Sequence, residues 1–278
     1  FYVKAAEDPS KRFRVGGKNI SEPQTFLIHV DPRPIANSAT VSTPEDVPKQ
    51  IHLGETDDEG RPLTYIIVTP PAKGQLDPPT INAPLPSPTV SYLPNPDVHG
   101  LDSFTFKVNN GLADSVEAKV TIAVTPVADT PSISGASTDE DKQTAVGLKI
   151  ERHAADGAEV THFKIMAITG GALFQNDGRT LINPNQFVIF AQGNAGLKFT
   201  PAKDSIGSGS VTVRASLSNL DAGLGGTPAT AIIRIVNQVN DPPSFTKGPD
   251  QTIPEDAGPQ TAPGWATKIS PGPANEGN

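Results

Sequence analysis

An acidic step recurs three times in this 278-residue chain and sets its plan. Thr43-Pro44-Glu45-Asp46 returns as Thr138-Asp139-Glu140-Asp141 and again as Ile253-Pro254-Glu255-Asp256. Each step follows a proline-bearing junction: Asp31-Pro32-Arg33-Pro34, Pro126-Val127-Ala128-Asp129-Thr130-Pro131 and Val239-Asn240-Asp241-Pro242-Pro243. Just before each junction lies an alternating apolar run, at 26–30, 120–124 and 231–236. Period-two alternation rich in β-branched residues reads as a closing strand, and the prolines then end ladder pairing. The interval between steps is about 100 residues, the size of one small β-sandwich. The chain therefore divides into the last strands of one repeat (1–33), a complete repeat (34–128), a longer one (129–241) and the opening of a fourth (242–278).

Within the first complete repeat, strands are expected at 35–42, 50–53, 63–68, 90–93, 103–108 and 116–124. Turn signals separate them: Asp57-Asp58-Glu59-Gly60, Pro70-Pro71, Pro94-Asn95-Pro96 and the hairpin signal Asn109-Asn110-Gly111. In the longer repeat the counterparts are 160–167, 180–182, 187–190, 197–199, 210–216 and 230–236, with the glycine-rich 221–226 as a long final hairpin loop. The chain carries 29 prolines and 25 glycines, against about 14 and about 19 at average usage. That density excludes a helical bundle, because proline removes a helical donor and glycine weakens helix interiors. The expected fold is all-β, with tandem antiparallel β-sandwiches and incomplete repeats at both ends.

Composition narrows the function. A net charge of −8 argues against nucleic acid and anionic membrane as partners. No apolar run approaches about 18 residues, so no membrane insertion is expected within this segment. The absence of cysteine removes disulfides and thiolate chemistry. His29, His52, His99, His153 and His162 form no metal-spaced or Ser-His-Asp pattern, so no catalysis is expected. Asp57-Asp58-Glu59-Gly60 lacks the spaced oxygens of an EF-hand.

The segment 92–108, Tyr-Leu-Pro-Asn-Pro-Asp-Val-His-Gly-Leu-Asp-Ser-Phe-Thr-Phe-Lys-Val, resembles the signature of bacterial cadherin-like, immunoglobulin-like tandem repeats. Pro62-Leu63-Thr64-Tyr65, the Pro-Glu-Asp steps and Val239-Asn240-Asp241-Pro242-Pro243 share that resemblance. It implies a β-sandwich array on a large secreted or surface-anchored protein, with extracellular location and no catalytic role. The partners it implies are neighbouring repeats of the same large chain. Cadherin relatives bind Ca2+ at the joints between repeats, and the resemblance carries the ligand positions over. The joint before residue 34 would use Asp31, Asp57, Glu59 and Asn109. The joint near residue 129 would use Glu45, Asp129 and Asp156. The joint near residue 241 would use Glu140, Asn240 and Asp241, with Asn275 or Glu276. This chain departs from the pattern at Arg33, at Ala128 and near Asp156, where no Asp-x-Asp stands, and the acidic Leu-Asp-x-Glu element is missing. The competing reading of Glu45, Glu140 and Glu255 is that they cap turns and face solvent.

Two functional classes remain open at this stage. One is a mechanical stalk, adhesin, lattice or filament component whose stiffness resides at the joints. The other is a binding module for a surface glycan or protein. Trp265 is the one aromatic suited to a sugar platform, against the reading that it is a core residue on a strand. Asn19-Ile20-Ser21 fits a glycosylation acceptor. Unpaired strand edges at the incomplete repeats would allow strand exchange with copies of the same chain.

Overall fold

The computed structural model describes residues 32–236 and 241–272. Among these, 32–95 with 99–124 form one compact unit, and 96–98 with 125–236 and 241–272 form another. None of the helices among the described residues is long and apolar enough to cross a membrane.

The first unit contains β1 (Ile35–Ala36), β2 (Ala39–Pro44), β3 (Lys49–His52), β4 (Glu55–Thr56), β5 (Thr64–Thr69), β6 (Gly74–Asp77), β7 (Thr89–Pro94), β8 (Gly100–Asn109) and β9 (Ala118–Thr125). One sheet runs β2-β9-β8-β5 and the other β3-β7-β6, with β1 and β4 as a small ribbon. Alternation explains the layering, since successive strand residues face opposite sides. Phe104, Phe106 and Val108 of β8 and Val120, Ile122 and Val124 of β9 all turn inward, onto Ile51, Ile67, Val90 and Tyr92. Strand β6 has no apolar pattern to announce it, and only Leu76 is buried. It forms because β7 supplies a ladder partner for all four of its residues. Gly74 makes that approach possible, as a Cβ there would lie 2.5 Å from the Tyr92 ring and 2.6 Å from the Leu93 carbonyl. The Asn109-Asn110-Gly111 hairpin joins β8 to β9, but through a longer loop. Asn110 folds inward, its Oδ1 accepting the Leu112 and Ala113 N–H groups at 3.1 and 3.0 Å.

The second unit repeats the plan with additions. Its strands are β10 (Ser132–Ile133), β11 (Ala136–Thr138), β12 (Ile150–Glu151), β13 (His162–Thr169), β14 (Gly171–Phe174), β15 (Leu181–Ile182), β16 (Phe187–Ile189), β17 (Lys198–Pro201), β18 (Gly207–Ser216) and β19 (Ala229–Ile235). They form the sheets β11-β19-β18-β13-β16 and β15-β14-β17, with β10 paired to β12. Strand β11 runs parallel to β19, and both β5 and β13 carry a bulge where they pair with β8 and β18. Phe163, Ile165, Leu173, Phe199, Val211, Val213 and Ile233 make the core. The expected strand 187–190 stops at Ile189, and α1 (Phe190–Asn194) follows as one helical turn. The side chain of Gln192 accepts the Ile189 N–H at 3.1 Å, and the Arg152 guanidinium covers the Phe190 ring at 3.6 Å.

The β18–β19 loop contains the short 3-10 helix Asp221–Gly223 and folds onto the start of the unit. A Cβ on Gly225 would meet the Ala128 carbonyl at 1.9 Å, and one on Gly226 the Thr130 nitrogen at 2.3 Å. Thr130 Oγ1 accepts the Thr227 N–H at 2.8 Å. Beyond residue 240, β20 (Ser244–Lys247) and β21 (Ala266–Ser270) pair as a ribbon. Trp265 is half-buried just before β21, packs on Phe245 and donates its indole N–H to the Pro249 carbonyl at 2.9 Å.

Asp102 is the polar anchor of the first core, only 7% exposed. Its carboxylate accepts four hydrogen bonds, from the N–H groups of Ala72, Lys73 and Ser103 and from the Tyr92 hydroxyl, at 2.8–2.9 Å. Burial alone would raise its pKa, but the four donors outweigh burial and hold it below the ordinary carboxylate value. Burial, and then the bond to Asp102, push the Tyr92 hydroxyl up. A folded pKa below the unfolded one means stability that is present above about pH 4 and lost as pH falls through the folded value. Asp102→Ala strands buried donors, so it should cost about 2–4 kcal/mol of unfolding free energy at neutral pH. Denaturant melts should show the gap to wild type narrowing below about pH 4.

Candidate metal centre

The acidic step is the same local structure in both units. Thr43 Oγ1 donates to the Val47 carbonyl and Thr138 Oγ1 to the Lys142 carbonyl, each at 2.8 Å. In each, the N–H after the acidic pair bonds back across the turn, Val47 to Pro44 and Lys142 to Asp139, at 3.4 Å. Asp46 and Asp141 take positive φ, 60° and 57°, a conformation that aspartate tolerates better than most residues. That reversal sends adjacent side chains opposite ways. Glu45 and Glu140 are buried, at 5% and 0% exposure, while Asp46 and Asp141 are exposed. The expectation of solvent-facing glutamates is therefore corrected at Glu45 and Glu140. It fits Glu255, which is exposed where Ile253 replaces the clamping threonine.

A second loop is also duplicated. Pro94–Gly100 and Pro201–Gly207 share a Pro-x-x-Asp-x-x-Gly pattern, with Asp97 and Asp204 both at φ 56° and the closing glycines at 102° and 109°. Each leads into a long inner strand, β8 or β18.

Register brings three segments of the second unit together. Ile235 at the end of β19 pairs with Thr138 of β11 and with Gly207 of β18. The acidic step after β11, the loop before β18 and the connector after β19 therefore leave the sheet at one end. There, carboxylate oxygens of Asp141, Asp204 and Asp241 all lie within 4.8 Å of one another. Asp141 Oδ1 accepts the Asp204 N–H at 3.0 Å. Lys203 Nζ sits 3.1 Å from Asp204 Oδ2, whereas Asp204 Oδ1 is buried with no hydrogen-bond partner. The bond to Asp204, with the Asp241 and Asp141 charges behind it, raises the Lys203 pKa.

This donor set suits a hard divalent cation. Three carboxylates converge, Asp204 Oδ1 among them is buried without a hydrogen-bond partner, and neither sulfur nor imidazole takes part. Such all-oxygen surroundings match Ca2+, whose six to eight ligands include carbonyls and waters, and do not select softer metals.

Of the residues implied by resemblance, Asp241 joins this cluster, and the sequence reading missed Asp141 and Asp204. Asp31 and Asn240 lie outside the described residues, as do Asn275 and Glu276. Glu140 is buried beside Asp141. Glu45 lies in the first unit with Oε2 3.7 Å from His99 Nδ1. Asp57 caps its own turn, accepting the Arg61 N–H at 2.7 Å, and Glu59 is exposed. Asn109 is engaged in the β8–β9 loop, donating to Asp114 Oδ1 at 2.7 Å and accepting the Gly111 N–H at 2.7 Å. Asp129 donates its N–H to both Asp156 oxygens at 3.2 Å, and its Oδ2 lies 3.6 Å from His153 Nδ1. The detectable signals were the repeated acidic step for Asp141 and the duplicated Pro-x-x-Asp-x-x-Gly loop for Asp204.

Residues 31–123 match the bacterial Ig domain family. Over 227 residues the chain is also 26% identical to integrin beta-like protein A of Dictyostelium discoideum, covering 74% of this chain and 11% of that protein. The chain thus spans about a tenth of that relative's length. Among solved structures it is similar to human CDH23 EC21–23, with 18% identity, TM-score 0.41, and coverage of 81% of this chain and 77% of that one. Mouse cadherin-23 EC22–24 gives 15% identity and TM-score 0.42, covering 78% of this chain and 71% of that one. Both units are almost entirely β, with their strands in two main sheets, as the alternation implies.

Asp156 provides a test outside the cluster. Burial raises its pKa, the Asp129 and Glu159 charges add to the rise, and the Asp129 N–H opposes it. A raised folded pKa favours folding at low pH, and that contribution is lost as pH rises through the folded value. Asp156→Asn keeps an oxygen for the Asp129 N–H and removes the charge. In chelator at pH 7 it should leave the protein more stable by up to about 0.5 kcal/mol, with the gain vanishing below about pH 4. Denaturant melts at the two pH values check this.

Proposed function

We propose that this chain is a segment of an extracellular multi-repeat surface protein of adhesion or stalk type, with a mechanical rather than catalytic role. In this reading Ca2+ stiffens the joint after the second repeat. The observation that carries the reading is the convergence of Asp141, Asp204 and Asp241 at the end of the sheet from which the connector leaves. Asp141 and Asp204 belong to the repeat, and Asp241 belongs to the connector that precedes β20. An ion held by all three would bind the connector to the sandwich and convert mutual carboxylate repulsion into coordination. Asp241-Pro242-Pro243 then continues as a stiff, proline-set path. The match of residues 31–123 to the bacterial Ig domain family and the 26% likeness to an integrin beta-like protein support an adhesion-type setting.

Scanning calorimetry of the whole chain in CaCl2 or chelator tests the proposal. A ligand bound only by the native state, at about 100 times its Kd, adds about 2.7 kcal/mol. For a unit of this size that raises the melting transition by roughly 5–10 °C. Asp141→Asn with Asp204→Asn should abolish the rise. Identical melting with and without Ca2+ would remove the ion from the account.

A further inference from the structure

We infer that Lys203 is a tethered counter-ion of the Asp141–Asp204–Asp241 cluster, offsetting part of its charge in the ion-free chain and weakening its hold on a divalent cation. The inference rests on the cation reading above and concerns what sets the strength of that site.

Lys203 precedes Asp204 in the loop, and its Nζ lies 3.1 Å from Asp204 Oδ2. The neighbouring cation, Lys142, is committed elsewhere, to Asp139 at 2.9 Å. Asp204 thus splits its carboxylate, with Oδ2 held by the ammonium and Oδ1 buried without a hydrogen-bond partner. A divalent cation that takes both oxygens must displace Nζ, and one that takes Oδ1 alone must sit beside a fixed positive charge. Displacement needs no repacking, because the Lys203 side chain is 81% exposed and can swing into water. The loop does not need a lysine to form. Its duplicate, Pro94–Gly100, holds the same positive φ at its aspartate with Pro96 in the equivalent place. The cation is therefore an addition to this copy and not part of the loop's architecture.

Isothermal titration calorimetry with CaCl2 on the whole chain tests the inference in four proteins: wild type, Lys203→Gln, Lys203→Arg and Lys149→Gln. Exposed ion pairs of this kind imply about threefold tighter binding for Lys203→Gln at low salt. The advantage should shrink in high salt as the charge is screened. Lys203→Arg keeps the charge and should bind like wild type. Lys149→Gln removes a lysine paired with Glu151 instead and should also bind like wild type, separating a local effect from net charge. In chelator, Lys203→Gln should melt below wild type at low salt, a readout independent of the ion. Unchanged or weaker Ca2+ affinity in Lys203→Gln would overturn the role of Lys203 and leave the site intact. Failure of both wild type and Lys203→Gln to bind Ca2+ would overturn site and inference together.

Discussion

The register of the closing strand governs these units more than any single contact. In the second unit β19 is an inner strand, pairing with β18 on one side and with β11 on the other. Its last residue is fixed against both neighbours at once, through Thr138 and Gly207. A slip of one residue would turn Ala231, Ile233 and Ile235 out of the core and into water. The hydrophobic face thus fixes the position of the chain exit to within a single residue. The convergence of three aspartates from distant parts of the sequence is a by-product of that constraint. The first unit uses the same order, with β9 between β2 and β8 and Gly100 paired to Val124.

Much of this was legible because core strands advertise themselves. Strands β5, β7, β8, β9, β18 and β19 bury alternate residues along well-patterned runs, and alternation is a local signal. Strands β6 and β14 could not be read that way. Gly74-Gln75-Leu76-Asp77 and Gly171-Ala172-Leu173-Phe174 have little intrinsic preference for a strand and owe their conformation to the partner alongside. The helical turn at Phe190 was hidden for a related reason. An apolar β-branched lead-in, Phe187-Val188-Ile189, points to a strand until Gln192 closes the turn on itself.

The cluster was half legible. The acidic step was visible, yet resemblance drew attention to its glutamates, and the side chain that reaches the cluster is the next residue along. Which of two adjacent acids faces inward depends on the left-handed backbone at Asp141, and sequence alone does not show that conformation. Asp204 was harder still, since it stands as a single acid in a loop. Its place in the cluster follows from its position just before β18, 63 residues beyond Asp141 in the chain.

The parallel pairing of β11 with β19 has a mechanical corollary. These are the first and last strands of the main sheet in the second unit, and they point the same way. Tension drawn through the polypeptide from opposite ends would slide one along the other. The ladder would then be loaded lengthwise, with its bonds strained together, whereas a terminal hairpin would peel open one bond at a time. A linear tether that must bear a pull without extending is well served by that geometry.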